Sequence, residues 1–170
     1  AATGPGRVLL GQHLGDLETA GARDSYARAL GDLRRLFGQA PRLAVRDMHP
    51  DYASSRAADD AGLPVLPVQH HLAHVAACLG EHGLRPPALG IAWDGTGYGP
   101  DGTVWGGEFL HVTPEGWHRV ARLRPFRLPG GDAAAREPRR AALGLLHTAF
   151  GGEALAMTDL PPVAAFAPAV

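Results

Sequence analysis

Three histidines lie within five positions of the segment VQHHLAHVAACLGEHG (68–83), at His70, His71 and His74. On a helix, residues four apart share a face, so His70 and His74 can point at one metal ion, as the two histidines of an HExxH motif do. His71 is turned away by about 100°, so we do not expect it to coordinate the metal. It could instead form a hydrogen bond to a bound substrate or to a group that neighbours the metal ligands. The alternative is a helix start with solvated or internally bonded histidines, and the spacing leaves both interpretations open.

A second candidate is the glycine-rich segment IAWDGTGYGPDGTVWGGEF (91–109). Asp94 ends an apolar run, and the glycines after it would let backbone N–H groups approach an anion. A carboxylate followed by flexible backbone can serve a cation and phosphate oxygens together, here as a strand–loop–strand clamp. The alternative is a long hairpin in which Asp94 and the glycines only form turns.

Two further polar segments are weaker candidates. DMHPDYASSR (47–56) places His49, Asp51 and Tyr52 where a strand meets a helix, although the pattern favours capping by Asp51 or Ser54. RPFRLPGGDAAAREPRRAA (124–142) places Arg136 at a helix start that could meet an anion, although a capped and solvated helix is the simpler interpretation. Cys78 is expected to be a packed thiol, because it lies on its helix near Val75 and Leu79. It is not expected to be a nucleophile, because no partner base is visible.

The elements that must position these residues follow from hydrophobic periodicity and from turn residues. Helices are predicted over 23–37, 50–61, 70–82 and 133–151, the first with Gly38 as its C-cap. Strands are predicted near the start of 6–17 and over 41–47, 63–69, 88–95, 103–113 and 116–126. The last three strands are joined by short links and predict an antiparallel meander, so the fold class is α/β with a mixed sheet.

Composition narrows the class of protein. The 170 residues suit one domain or one lobe, and a 45% hydrophobic content supports a packed core. The formal net charge is −1, so the chain lacks the excess positive charge that is typical of proteins that bind nucleic acid or an anionic membrane. The single cysteine fits a reducing cytoplasm. Both ends of the chain read as interrupted, and we expect a fragment of a longer polypeptide.

The candidate segments together resemble a known family. In this order, GQHLGDL, DMHPDYASSR, VQHHLAHVAACL, IAWDGTGYGPDGTVWGGEF and LRPFRLPGGDAAAREPRRAALGLL resemble the carbamoyltransferase domain of HypF, the [NiFe]-hydrogenase maturation carbamoyltransferase. The resemblance covers roughly residues 8–150. Antibiotic O-carbamoyltransferases and the tRNA threonylcarbamoyltransferase share the HxxxH pair, but they do not share the HPDY, WGGEF and GGDAAxREP stretches together.

The resemblance implies a fold and a domain organisation. The fold would be a partial lobe of the actin/hexokinase-like (ASKHA) type. Residues 1–170 would be part of one carbamoyltransferase domain and mostly its first lobe. Within it, 1–23 would be an incoming strand and loop, and 150–170 would begin a linker to a second lobe.

The resemblance also implies a site. His70, His74 and Asp94 would bind a divalent metal, iron or zinc, with a further Asp supplied by the second lobe. The family often reads HHHAH, and Leu72 replaces the middle histidine here. Nucleotide phosphates or carbamoyl-adenylate would meet Gly95, Thr96, Gly97, Gly99 and Gly107. The substrate rim would include His71, His49, Asp51 and Arg136.

The implied reaction uses ATP and carbamoyl phosphate, which earlier domains convert to carbamoyl-adenylate. The acceptor would be the C-terminal cysteine of the partner protein HypE, so the domain needs no nucleophile of its own. No nucleic acid or membrane partner is expected, and the reaction would be cytoplasmic. The 170 residues alone are predicted not to turn over. The alternatives are small-molecule O-carbamoylation and a non-catalytic remnant that only binds a nucleotide or a partner.

Overall fold

The computed structural model describes residues 2–4, 7–38, 40–131 and 133–166. The chain forms two compact units, of which the first ends at Arg122 and the second begins at Leu123. The predicted incoming segment at 1–23 includes residues 1, 5 and 6, and the predicted linker at 150–170 includes 167–170. Those residues lie outside the described part, and so does Asp132 in the segment 124–142.

The first unit contains nine strands and three helices among its described residues. In chain order they are β1 (Ala2–Gly4), β2 (Arg7–Leu9), α1 (Ala20–Phe37), β3 (Ala44–Asp47), α2 (Ala53–Asp59), β4 (Val65–Val68), α3 (His70–Glu81), β5 (Ala88–Ala92), β6 (Gly97–Tyr98), β7 (Val104–Trp105), β8 (Glu108–Thr113) and β9 (Gly116–Arg122). β3 and β4 pair in parallel, whereas β5, β8 and β9 form an antiparallel sheet in the order β5-β8-β9.

Helix α1 shows how local capping sets its ends. It begins three residues before the predicted start, because the Thr19 hydroxyl accepts a hydrogen bond from the Ala22 N–H. It ends at Gly38 in the left-handed conformation (φ 61°), which confirms the predicted C-cap.

Helix α2 is shorter than the helix predicted over 50–61. The residues before it form a turn in which the Asp47 carboxylate accepts a hydrogen bond from the His49 N–H and His49 Nδ1 accepts one from the Asp51 N–H. Pro50 lies in this turn, and the helix begins at Ala53 without a side-chain cap. The expectation that Asp51 or Ser54 caps this helix is therefore wrong.

The predicted meander is confirmed, with one correction. The strand predicted over 103–113 is divided at Gly106 and Gly107 into β7 and β8, and β7 pairs with β6 in a separate hairpin. At the division, Gly106 lies so close to the backbone of Gly95 that a side chain at Gly106 would collide with it. Gly107 also has a positive φ of 70°.

The core of the first unit fixes α3 against the antiparallel sheet. Its buried centre is formed by Val75, Ala92, Trp105 and Leu110. Gly90 on β5 lies directly under Val75, and a Cβ there would overlap both Val75 methyl groups. This close approach brings the start of α3 and the end of β5 together, and these two places carry the candidate metal ligands.

The second unit is helical in its described residues. It contains α4 (Ala133–Arg136), α5 (Pro138–Phe150), a 3-10 helix (Gly151–Ala156) and α6 (Pro161–Ala164). The single helix predicted over 133–151 is divided at Glu137, whose ψ of 87° is outside the helical region. The residue before a proline is driven away from helical geometry, and Pro138 then starts a new helix at its first position.

The fold class is confirmed as α/β, with parallel and antiparallel strand pairs. In the described residues these pairs belong to separate sheets and not to one mixed sheet. No described helix combines the length and the apolar character that a membrane span requires.

Candidate metal centre

Three strand ends bring the polar residues of the first unit together. In the parallel pair β3–β4, Asp47 is opposite Val68, so Asp47 lies beside the turn into α3. His70 begins α3 immediately after that turn, and Asp94 follows the end of β5. The Gln69 side chain caps α3 by accepting a hydrogen bond from the Leu72 N–H, which fixes the helix start and the direction of its first histidine.

His70, His74 and Asp94, here called the histidine cluster, converge on one point. His70 Nε2 lies 2.9 Å from Asp94 Oδ2 and 3.2 Å from His74 Nε2. His74 Nε2 lies 3.8 Å from the same Asp94 oxygen. One possible ligand atom from each residue therefore falls within 4.8 Å of the others. The structure brings together the three residues that the sequence singled out as ligands.

His70 faces a carboxylate at each of its two ring nitrogens. Its Nδ1 lies 2.6 Å from Asp47 Oδ2, while its Nε2 faces Asp94 Oδ2. A neutral imidazole carries one proton and can satisfy only one of two carboxylates, and His74 presents a further ring nitrogen to the same side. A second proton on His70 or a cation among these atoms is needed, and the donor set is one that zinc or iron accepts.

The separations also fit such an ion. Nitrogen and oxygen ligands lie about 2.0–2.2 Å from zinc, so in a tetrahedral site they lie roughly 3.3–3.6 Å from one another. The three separations in the histidine cluster, 2.9, 3.2 and 3.8 Å, bracket that range. Small side-chain adjustments are enough to accommodate a metal ion here.

His71 does not lie on a substrate rim, contrary to the prediction. It is fully buried; its Nε2 lies 3.3 Å from the Asp94 carbonyl oxygen and its Nδ1 lies 3.1 Å from the Gln69 amide nitrogen. The network assigns the proton to Nε2, which donates to the Asp94 carbonyl, while Nδ1 accepts from Gln69. His71 thus holds the Asp94 backbone instead of contacting a ligand.

An aromatic corner formed by His49, Tyr52 and Tyr98 flanks this region. The rings of His49 and Tyr52 stack with centroids 4.3 Å apart, and Tyr98 meets His49 edge-on at 5.2 Å. Burial raises the pKa of Tyr52 above its usual 10.0, and the charges of Asp47 and Asp94 raise it further. Tyr52 is therefore a neutral hydrogen-bond donor at neutral pH. The placement of His49 and of the exposed Asp51 on a substrate rim stays a prediction.

The glycines after Asp94 divide into two groups. Side chains at Gly97 or Gly99 would collide with protein atoms, of His70 and His71 in the first case and of Trp105 in the second. The Gly99 N–H donates to Thr103 and the Gly107 N–H donates to Asp94, so these two amides are used inside the protein. Apart from the chain neighbours of Gly95, no atom of the described residues lies within 4 Å of its Cβ position; that Gly95 and Thr96 meet a phosphate stays a prediction.

Asp101 fastens the same loop. Its Oδ1 accepts hydrogen bonds from the Thr103 hydroxyl at 2.7 Å and from the Trp105 indole at 2.9 Å. The hydrogen bond from the Thr103 hydroxyl is the main reason that the pKa of Asp101 lies below its usual 3.8. The loop is thus held by a carboxylate that is ionised at neutral pH.

In the second unit, an arginine cluster of Glu137, Arg139 and Arg140 follows α4. Arg139 donates two hydrogen bonds to Glu137 Oε2, at 2.6 and 2.9 Å. Arg140 Nε lies 3.0 Å from Glu137 Oε1, as an ion pair whose angle is outside hydrogen-bond geometry. Arg136 is exposed on α4, and its place on a substrate rim stays a prediction.

Three residues depart from the prediction made from the sequence. Cys78 is exposed, so its prediction as a packed thiol is wrong. Asp47 and Gln69 were not singled out. Asp47 could have been found from the rule that neighbouring parallel strands end at the same edge, which puts the last residue of β3 beside the helix that follows β4.

Two family models match the chain. The HypF Kae1-like domain matches residues 1–81, and the second subdomain of the Kae1-like domain of the carbamoyltransferase matches residues 90–165. The histidines of the histidine cluster lie in the first match and Asp94 lies in the second. The expected domain organisation, mostly a first lobe, stays a prediction.

Similar proteins agree with these matches. Carbamoyltransferase HypF of Synechocystis is 48% identical over 86% of this chain and 19% of the relative, and HypF2 of Cupriavidus necator is 45% identical over the same shares. The crystal structure of full-length HypF in the phosphate- and nucleotide-bound form superposes with a TM-score of 0.73, at 40% identity over 80% of this chain and 18% of that one. The chain spans about a fifth of the length of the curated relatives that it matches.

The fold and these matches define a Kae1-like domain of the carbamoyltransferase class. The chain belongs to the HypF family.

Proposed function

We propose that this chain forms part of the transfer domain of a carbamoyltransferase acting in [NiFe]-hydrogenase maturation, in the cytoplasm. The donor is carbamoyl-adenylate, made from carbamoyl phosphate and ATP, and the acceptor is the C-terminal cysteine of a HypE-type protein. Membership of the HypF family supports the reaction class. The observation that carries the proposal is the convergence of His70, His74 and Asp94.

The transfer is a substitution at the carbamoyl carbon. The acceptor thiolate forms a bond to that carbon, the bond from the carbon to the phosphate oxygen breaks, and AMP leaves with the electron pair. The nucleophile comes from the acceptor, so this chain supplies binding and orientation only. Its residues need to hold the donor so that its carbonyl faces the incoming sulfur.

The histidine cluster would hold a divalent ion, iron or zinc, through two imidazole nitrogens and one carboxylate oxygen. Such an ion, when bound, polarises a carbonyl and offsets phosphate charge. Gly95 and Thr96 would offer backbone N–H groups to the phosphate, since the space beside Gly95 is open. The buried His71 keeps Asp94 in place by donating to its carbonyl oxygen.

A chimera tests the function. The matching segment of the Synechocystis relative is replaced by this chain, and transfer to HypE is followed by intact-protein mass spectrometry with carbamoyl phosphate and ATP present. We expect transfer by the chimera, and loss of transfer and of bound metal in chimeras carrying His70→Ala or Asp94→Ala. Arg139→Ala is the matched control, because its charge is paired inside the second unit.

The outcomes separate the alternatives. A chimera that binds metal but transfers no carbamoyl group supports a non-catalytic remnant. Transfer to a small hydroxyl compound instead of HypE supports O-carbamoylation. If the His70→Ala and Asp94→Ala chimeras both bind the same stoichiometric amount of metal as the unmutated chimera, the site assignment is wrong.

A further inference from the structure

His70 is the only member of the histidine cluster for which the described residues show a carboxylate at the second ring nitrogen. Asp47 Oδ2 lies 2.6 Å from His70 Nδ1, on the opposite edge of the ring from Asp94 and His74. This short separation is typical of a charge-assisted hydrogen bond. Asp47 itself is not part of the group that could contact one ion.

Asp47 is held in place independently of His70. Its other carboxylate oxygen accepts a hydrogen bond from the His49 N–H at 2.8 Å. Its carbonyl oxygen accepts hydrogen bonds from the Arg46 guanidinium and from the buried Ser55 hydroxyl. The pairing of β3 with β4 sets its position along the strand. The carboxylate is therefore a rigid acceptor, and the ring of His70 must adapt to it.

We propose that Asp47 is a positioning residue that keeps the proton of His70 on Nδ1 and turns its Nε2 lone pair toward the metal. A ring nitrogen can bind a cation only if it carries no proton, and a neutral imidazole places its proton where the better acceptor lies. A carboxylate behind the ring fixes this tautomer and makes the ligating nitrogen more basic. The inference rests on the metal site of the proposed function.

Asp47→Asn tests the proposal with little change in shape. The Asn oxygen can still accept the hydrogen bond from the His49 N–H, so the turn before α2 is kept. The Asn NH2 group then faces His70 Nδ1 and donates to it, which drives the ring proton to Nε2, the atom that has to bind metal. We expect zinc affinity to fall about 10–100-fold, the range for removal of such an outer carboxylate.

Zn²⁺ alone is the probe, titrated calorimetrically into the full 170-residue chain and its variants. Asp59→Asn is the matched control. It also removes one acidic charge next to β3, but Asp59 pairs with Arg46 and not with a histidine.

Long-range ¹H–¹⁵N NMR of the His70 ring shows directly which ring nitrogen carries the proton. If Asp47 had only a structural role, Asp47→Asn would not change the position of this proton. Nδ1 should be protonated in the wild type and unprotonated in Asp47→Asn. Far-UV circular dichroism checks that both variants fold, and Asp47→Glu should restore part of the affinity.

The outcomes are distinguishable. Stoichiometric zinc binding by the wild type with unchanged affinity in Asp47→Asn overturns the inference and leaves the proposed site standing. An equal loss in Asp59→Asn also overturns it, because the effect would then come from charge and not from the ring. A wild type that binds no zinc overturns the proposed metal site and this inference with it.

Discussion

The histidine cluster and the arginine cluster are both polar groups at helix starts, and the sequence makes each a candidate for ligand binding. In the arginine cluster, the Glu137 carboxylate faces two guanidinium groups, so its negative charge is balanced within the cluster, although Arg140 Nε makes no hydrogen bond to the described residues. In the histidine cluster, two ring nitrogens and a carboxylate oxygen face one another, and a second proton on His70 or a cation is needed to satisfy them. A cation site is therefore recognised by whether the charges of its groups are already balanced, and not by how many charged groups it contains.

The largest expected difference between the clusters is in zinc affinity. His74→Ala removes a direct ligand, so its zinc dissociation constant should rise more than about 100-fold, beyond the loss caused by an outer partner. Arg139→Ala should leave the dissociation constant unchanged, because its guanidinium is bonded to Glu137. Isothermal titration calorimetry measures both variants. Comparable losses in the two variants would remove the distinction between the clusters.

The next largest effect concerns the packing behind the histidine cluster. The histidine cluster depends on close contact between Gly90 and Val75, so the Cβ of Gly90→Ala should force α3 from β5. We expect a loss of about 1–3 kcal/mol in the free energy of unfolding, typical of overpacking, together with weaker zinc binding. Urea unfolding and zinc titration provide the two readouts.

Gly80→Ala is the control for that change, since Gly80 lies on the same helix and, apart from that helix's own backbone, no atom of the described residues comes within 4 Å of its Cβ position. It should stabilise the chain by about 0.5–1 kcal/mol, through the better helix propensity of alanine. If Gly90→Ala behaves like Gly80→Ala, then close packing does not set the geometry of the histidine cluster.

The smallest effect is a pH dependence in the arginine cluster. The hydrogen bonds from Arg139, with a further contribution from Arg140, lower the pKa of Glu137 below its usual 4.5. Glu137 is thus ionised more readily in the folded chain than in the unfolded one. The stabilisation is present above pH 4.5 and is lost as the pH falls through the lowered pKa.

Carboxyl ¹³C NMR titration reads this pKa directly. Arg139→Gln should move the Glu137 midpoint back toward 4.5, while Arg136→Gln, which changes another exposed arginine, should move it less. A wild-type midpoint at or above the ordinary value would show that these pairs do not form in solution.

The sequence predicted the parts of the fold and of the site that depend on local spacing. His70 and His74 follow from a four-residue step on a helix, and Asp94 follows from a carboxylate at a strand end. The antiparallel pairing of β8 with β9 follows from the short link between them, whereas β5 pairs with β8 although the β6–β7 hairpin lies between these two strands in the chain. The features set by local spacing need no knowledge of how distant segments pack.

The remaining features depend on tertiary contacts. Asp47 reaches His70 through the register of β3 against β4, which strand periodicity does not specify. His71 is buried because Gln69 and the Asp94 carbonyl accommodate both of its ring nitrogens, and exposure cannot be read from helical spacing alone. The late start of α2 comes from side-chain bonds within the turn at Asp47 and His49.

The most direct test of the metal centre is a crystal structure of the zinc-loaded chain with anomalous scattering data collected at the zinc absorption edge. One strong anomalous peak is predicted in contact with His70 Nε2, His74 Nε2 and the Asp94 carboxylate. A peak at other residues, or a well-ordered histidine cluster without any peak, would contradict the account.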